Sequence, residues 1–246
     1  MKRAHGNIDI LKRICRIKQL HPSWGYRRVW SYLKYREKLS VNRKRIYRLM
    51  DDNGLLVEKN AKLRASRTPQ RSKIKAERPN HIWGIDMTKI MVPSWGWTYL
   101  TVVLDWCSKK IVGYDLSVTS KAADWLRAWD MAVNVQFPEG IKECAEKPML
   151  VSDNGSQPTS ERFMRDCGTL GIKQIFTCYN NPKGNADTER VMRTIKEDLV
   201  WPNEFESVEE LKLALDAWIV DYNTDYPHSA IGYMTPCQFE AAKSAA

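Results

Sequence analysis

The residue pattern predicts a mixed α/β fold, a sheet with helices packed on it, preceded by a small all-helical unit. Three observations carry this. Before residue 58 the apolar residues recur only at helical spacing; from Asn80 onward strand-length apolar runs alternate with helical patterns; and between them KNAKLRASRTPQRSKIKAER holds eight basic residues and little apolar patterning.

In the first part, Ile10, Ile14 and Ile17 recur at i, i+4 and i+7, which predicts a helix over 8–20. A second helix follows His21-Pro22, with Tyr26, Val29, Trp30 and Leu33 on one stripe and Arg27, Arg28 and Lys34 away from it. Asn42 can cap a third, in which Ile46, Leu49 and Met50 face inward while Arg43, Lys44, Arg45 and Arg48 load the start and the exposed side. Short helices of this kind, the last one basic, fit a helix-turn-helix domain over residues 1–58, although small helical bundles without a DNA partner also carry basic faces. Residues 59–79 read as a basic linker, either an extended arm with Arg64 and Arg67 along phosphates or a solvated tether, its Arg and Lys density favouring the former.

The second domain is expected over residues 80–226. HIWGIDMTKI, WTYLTVVL and KIVGYDLSV read as three consecutive strands joined by the turns PSWGW and DWCSKK, which implies an antiparallel start. SKAADWLRAWDMAVNV is a helix, PMLV a strand, PTSERFMRDCGTLG a helix opened by Pro158, and KQIF a short fifth strand. The loop TCYNNPKG precedes the helix of KGNADTERVMRTIKEDL. A last helix opens at Ser207 with Glu210 three residues on, a capping box, and buries Val208, Leu211, Leu215, Trp218 and Ile219. Residues 227–246 are left as a C-terminal tail.

At 246 residues and 43% apolar content the chain can bury a core of ordinary size. Residues 1–80 carry 23 Lys and Arg against 6 Asp and Glu, a net of +17, which leaves −7 for the rest of a chain whose total is +10. A basic arm drawn to a polyanion is thus joined to an acidic body able to hold cations. The six cysteines never form CxxC and no stretch approaches eighteen apolar residues. Structural zinc, a membrane span and secretion are not expected, and free thiols in a reducing cytosol are.

Three carboxylates carry the chemistry. Asp86 lies in HIWGIDMTKI, Asp153 follows MLV in VSDNGSQPTS, and Glu189 sits on the helix of KGNADTERVMRTIKEDL with 35 residues between it and Asp153. Burying an unpartnered carboxylate costs roughly several kcal/mol, so acids in apolar runs point to a bound cation or a strong hydrogen-bond partner. Strand alternation puts Ile82, Gly84, Asp86, Thr88 and Ile90 on one face. On the helix, Val191, Ile195 and Leu199 form one stripe, with Glu189, Arg193 and Lys196 on the other side. Two Mg²⁺ ions, for which Mn²⁺ substitutes, held about 3.5–4 Å apart by such acids can activate an attacking oxygen and stabilise a leaving one in phosphodiester chemistry. Arg193 and Lys196 would then hold the DNA backbone, as would Tyr179 and Lys183 in the preceding loop. Singly, each Asp is as readily a turn residue, and Glu189 with Arg193 as readily an i, i+4 pair; the three in this order favour the metal site. Asp105, Asp115, Asp187 and Asp221 are set aside, and Trp83, Trp95 and Trp97 are read as core.

SWGYRRVWSYLK, VNRKRIYRLMDDNGLL, ERPNHIWGIDMTKI, GWTYLTVVLDWCSKKIVGYDLS, VSDNGSQPTS, KGNADTERVMRTIKEDL and YNTDYPHSAIGYMTP closely resemble, in order and over nearly the whole chain, the insertion-sequence transposases of the IS-three family. The resemblance is to the family's second-frame product, whose catalytic domain is related to retroviral integrases. It implies an RNase H-like fold with a mixed five-stranded sheet, Asp86, Asp153 and Glu189 as the metal-binding catalytic triad, and Lys196 as a DNA-contacting position. It also implies metal-dependent cleavage of a transposon 3′ end and strand transfer by a copy-out, paste-in route. Ser152 stands where many relatives have His, and Thr188-Glu189-Arg190 where many have Ala-Glu-Ser, departures that leave the acids intact.

The expected partners are double-stranded DNA, as terminal inverted repeats and target, and further copies of the chain in a synaptic dimer or higher oligomer. An upstream-frame DNA-binding and coiled-coil protein is a further partner implied by the resemblance. An RNase H-like structure-specific nuclease and a non-catalytic DNA-binding regulator stand as the alternatives.

Overall fold

Ile10, Ile14 and Ile17 are buried along one side of α1 (Lys2–Leu20). The structure, a computed structural model, describes residues 2–57, 75–177 and 184–244, with side chains from residue 7 onward. It divides into two compact units: Met1–Arg71 with Pro227–Met234, and Ser72–Tyr226 with Thr235–Ala246.

In the first unit α2 (Tyr26–Ser31) runs into a π-helical turn at Tyr32–Arg36, and α3 (Arg43–Asp52) follows. Val29, Leu33, Ile46 and Met50 are fully buried with Trp24, while Tyr26, Trp30 and Leu49 are half-buried. The expected cap is present: the Asn42 side chain accepts from the Lys44 amide at 2.8 Å, satisfying one of the helix's orphan donors.

The second unit is built on a five-stranded sheet ordered β3-β2-β1-β4-β5. β1 (Ile82–Val92), β2 (Gly96–Asp105) and β3 (Ile111–Ser117) form an antiparallel meander, with Asp86 opposite Val102 and Met91 opposite Trp97. β4 (Met149–Ser152) and β5 (Lys173–Phe176) lie parallel to β1, reached through α4 (Ala122–Gln136) and α5 (Glu161–Thr169). Such parallel pairs need a helical crossover, which is why the pattern changes after β3. One face of the sheet, with Trp83, Ile85 and Val103, packs on Trp125, Trp129 and Phe163. Gly113 lets α4 approach β3: a Cβ there would stand 2.2 Å from the Ala128 carbonyl. α6 (Ala186–Ile195) packs over β1 and β2 and runs into a π-helical turn at Lys196–Val200; α7 (Val208–Thr224) and α8 (Pro236–Ser244) follow.

Three expectations need correcting. Trp95 and Trp97 are 61% and 52% exposed: Trp95 lies in the β1–β2 turn, and Trp97 pairs with the exposed Met91 on the face opposite buried Ile90, Val92 and Thr98; only Trp83 of the three is core. The helix expected to open at Pro158 begins after Ser160, whose hydroxyl accepts from the Phe163 amide; Pro158 lies in the preceding turn. Ser207 does cap α7, accepting from the Glu210 amide at 3.0 Å, but Glu210 reaches back to the Glu206 amide, one residue earlier than a capping box requires. Among the described residues no helix is long and apolar enough to cross a membrane.

Candidate active site

Asp86 is half-buried on β1, on the face that α6 covers, and its Oδ1 accepts from the Met87 amide at 2.8 Å. The parallel register pairs Gly84 with Val151, so two residues further on Asp86 stands level with Asp153, the first residue past β4. Asp153 is exposed and closes a turn, accepting from the Gly155 amide at 3.0 Å. Its position at the carboxyl end of a parallel strand is where open α/β sheets leave room for ligands.

Glu189 arrives from above, on the first turn of α6, exposed and with its amide bonded to the Asn185 carbonyl at 3.0 Å. Val191, Ile195 and Leu199 are buried on the opposite side, so the predicted stripe fixes the rotation of the helix. Its N-terminus is docked by Asn185, which is buried and donates to the Ile85 carbonyl, next to Asp86, at 3.1 Å. Gly84 permits this docking: a Cβ there would meet Thr188 Oγ1 at 2.1 Å, Trp106 Nε1 at 2.3 Å and Asn185 Oδ1 at 2.8 Å.

Asp86 feels the charge of the other two acids. Burial pushes the Asp86 carboxyl up to about 6; the charges of Asp153 and Glu189 push the same way, while the Met87 amide and Lys196 oppose them. Lys196 is half-buried beside this cluster, whereas Arg193 points out and pairs with Glu197, Nε to Oε1 2.6 Å, rather than with Glu189. None of the three acids forms an ion pair with another described residue. Three hard oxygen donors, none in an ion pair with another described residue, are the donor type that a divalent cation such as Mg²⁺ or Mn²⁺ takes, although their oxygens do not all lie within 4.8 Å of one another.

In the helical unit Arg27, Arg43, Lys44 and Arg48 are exposed, and Arg28 is half-buried. Arg45 is not a free cation: it donates to Asn7 Oδ1 through Nε at 2.9 Å and a terminal nitrogen at 2.6 Å, tying α3 to α1. Arg64, Arg67, Tyr179 and Lys183 lie outside the described residues. Sequence reasoning missed Gly84, Asn185, Trp106 and Lys109; the Asn just before the helix of Glu189 was the signal available for one of them.

Two family models described as integrase core domain match residues 76–182 and 170–236, and one described as HTH-like domain matches residues 6–62. The transposase InsD of insertion element IS2A/D/F/H/I/K from Escherichia coli is 25% identical over 242 residues, covering 95% of this chain and 78% of its own length. The chain thus carries an HTH-like domain followed by an integrase core domain, and is a homologue of the InsD transposases along nearly its whole length. A second relative, the InsD transposase of IS2-9 from Escherichia coli K12, matches at the same identity over 95% of this chain and 77% of its own. Among solved structures, the HTLV-2 integrase catalytic core domain in complex with magnesium superposes with a TM-score of 0.53 at 20% identity, over 68% of this chain and 99% of that one. A chain of the simian T-cell lymphotropic virus intasome in complex with PP2A regulatory subunit B56 gamma gives 0.53 at 15% identity, over 85% of this chain and 73% of that one. These likenesses agree with the RNase H-like reading of the sheet. Ser152 is buried and donates to the Asp153 carbonyl at 3.0 Å, and Thr188 is fully buried and accepts from the Trp106 indole, so both side chains are held within the fold.

Proposed function

We propose that the chain is a DNA transposase that cleaves the 3′ end of an insertion sequence and joins it to a new phosphodiester, using two divalent ions held by Asp86, Asp153 and Glu189. The observation that carries this is the juxtaposition of those acids, from β1, the end of β4 and the first turn of α6, in a family of transposases. When bound, the ions supply activation of the attacking oxygen and charge stabilisation at the leaving one. The chain does the rest. Asp86 takes its half-buried place on a rigid strand, Asp153 meets it from the parallel neighbour, and Glu189 closes the site from the helix. Lys196 offers its ammonium to a phosphate beside the acids without reading a base. Exposed cations of the helical unit, Arg27, Arg43, Lys44 and Arg48, with Arg28, hold the end sequence; Arg64, Arg67, Tyr179, Lys183 and Arg193 remain candidate backbone contacts. Residues 59–79 serve as the tether between a DNA-binding domain over 1–58 and a catalytic domain over 80–226. Synapsis of two ends calls for at least two copies of the chain.

The test is strand cleavage and joining on labelled transposon-end DNA with Mg²⁺ or Mn²⁺, comparing the intact protein with Asp153→Asn. Metal-dependent joining, lost in the variant while DNA binding persists, is the expected result. Cleavage without joining would assign a nuclease, and binding with neither reaction a regulator.

A further inference from the structure

The geometry points to the β2–β3 turn, residues 105–110, as a clamp that sets where Glu189 stands, with Trp106 and Lys109 as its positioning residues. The inference rests on the reading of Asp86, Asp153 and Glu189 as the metal-holding acids.

The turn is unusually well fixed. Asp105 is fully buried, and its carboxylate accepts from the amides of Cys107 at 2.7 Å, Ser108 at 3.0 Å and Asn80. Backbone bonds close the same segment, Asp105 N–H to the Lys110 carbonyl and Lys109 N–H to the Asp105 carbonyl, both at 2.9 Å. Lys109 adopts φ +64°, a left-handed conformation that costs a side-chain-bearing residue energy and persists only where its surroundings enforce it. The Trp106 amide donates to the Ile82 carbonyl at 3.0 Å, which anchors the turn to the start of β1, the strand of Asp86.

From that base two side chains reach α6. The Trp106 indole N–H donates to Thr188 Oγ1 at 3.1 Å, and both residues are buried, 4% and 0% exposed. Lys109 Nζ donates to the Trp106 carbonyl at 2.6 Å and to Asp187 Oδ2 at 3.1 Å. Asp187 and Thr188 are the two residues immediately before Glu189. Two consecutive residues of one helical turn, held from one rigid turn, leave the third no freedom to rotate about the helix axis or slide along it. Glu189 itself forms no ion pair among the described residues, so its place is set by its neighbours. A metal ligand needs this support, because a site misplaced by about 1 Å loses affinity and rate. Thr188 is the residue that gives the Trp106 N–H an acceptor.

The test is direct Mn²⁺ binding, followed by the electron paramagnetic resonance of free Mn²⁺, alongside the Mg²⁺ dependence of strand joining and a thermal melt to confirm folding. Thr188→Val, close to isosteric, and Trp106→Phe are each expected to weaken Mn²⁺ binding by about tenfold. Their combination is expected to do no more than either alone, since both remove one bond, and Thr188→Ser is expected to restore affinity. Lys109→Met and Asp187→Asn repeat the test on the half-buried arm should a core variant fail to fold. Folded clamp variants with unchanged Mn²⁺ affinity, beside a Glu189→Gln control that loses it, would overturn the clamp alone. A Glu189→Gln control that binds Mn²⁺ as well as the intact chain would overturn the metal-site reading and the clamp with it.

Discussion

A Cβ placed on Gly84 would stand 2.1 Å from the hydroxyl of Thr188, far inside van der Waals contact. The glycine two residues before Asp86 and the threonine one residue before Glu189 therefore occupy one another's limits, and the approach of β1 to α6 sets the separation of the two acids.

Gly84→Ala is expected to push the first turn of α6 off the sheet, since Trp106 Nε1 and Asn185 Oδ1 crowd the same point and none of the three atoms ends a long flexible chain. Overpacking of this kind costs about 1–3 kcal/mol. Urea unfolding should show that loss, and strand joining should fall further than stability accounts for; a variant with full joining activity would show that the contact does not govern the site.

In the metal-free protein the Asp86 carboxyl titrates at about 6, raised from 3.8 mainly by burial. Between these values the folded chain keeps a proton that the unfolded chain has released, so stability falls as pH rises from about 4 to about 6, on the order of 3 kcal/mol in all. The same proton competes with a cation, so Mn²⁺ affinity should strengthen with pH through this window and level off above it. Unfolding in chelator at a series of pH values measures the slope, and Asp86→Asn should abolish that part of it. An identical slope in the variant would assign the titration elsewhere.

The basic residues of the helical unit should separate into two kinds. Arg45→Ala removes the bonds to Asn7 and should cost about 1–2 kcal/mol of stability. Lys44→Ala and Arg48→Ala, at exposed positions, should change stability by less than about 0.5 kcal/mol. Each should instead lower the slope of log affinity against log salt by about 1. Binding isotherms at several salt concentrations decide this; a Lys44 or Arg48 variant with an unaltered slope would remove that residue from the interface.

The tryptophans give a contrast within one hairpin. Trp83→Ala, in the core against Trp129, should cost about 3–5 kcal/mol, whereas Trp95→Ser, at 61% exposure, should be close to neutral. Thermal denaturation of the two variants measures the difference, and a large loss from Trp95→Ser would reveal packing absent from this fold.

The order of strands and helices, the buried stripe of α6 and the three acids were legible in the sequence because each follows from a period or a motif. Ile10, Ile14 and Ile17 are core on that ground, and so are Val191, Ile195 and Leu199. Trp95 and Trp97 were misread because residue type says how apolar a side chain is, while exposure depends on whether it sits in a turn, as Trp95 does, or on the uncovered face of its strand, as Trp97 does. Arg45 was misread for a related reason: its partner Asn7 is remote in sequence, and no local pattern announces a bond between two helices. The Trp106–Thr188 contact joins residues 82 positions apart, so only the folded chain displays it.

The order of the sheet also dictates when the chain becomes able to cut. β1 to β3 pair through short local turns, but β4 must join β1, and β5 join β4, across long crossovers, and Glu189 follows Asp86 by 103 residues. Contacts that distant close slowly, after the local hairpins have formed. A chain still emerging from the ribosome, and short of α6, carries Asp86 on its hairpin and has no complete site. On the proposed reading, the capacity to break DNA would wait until synthesis has passed the helix that brings the third acid.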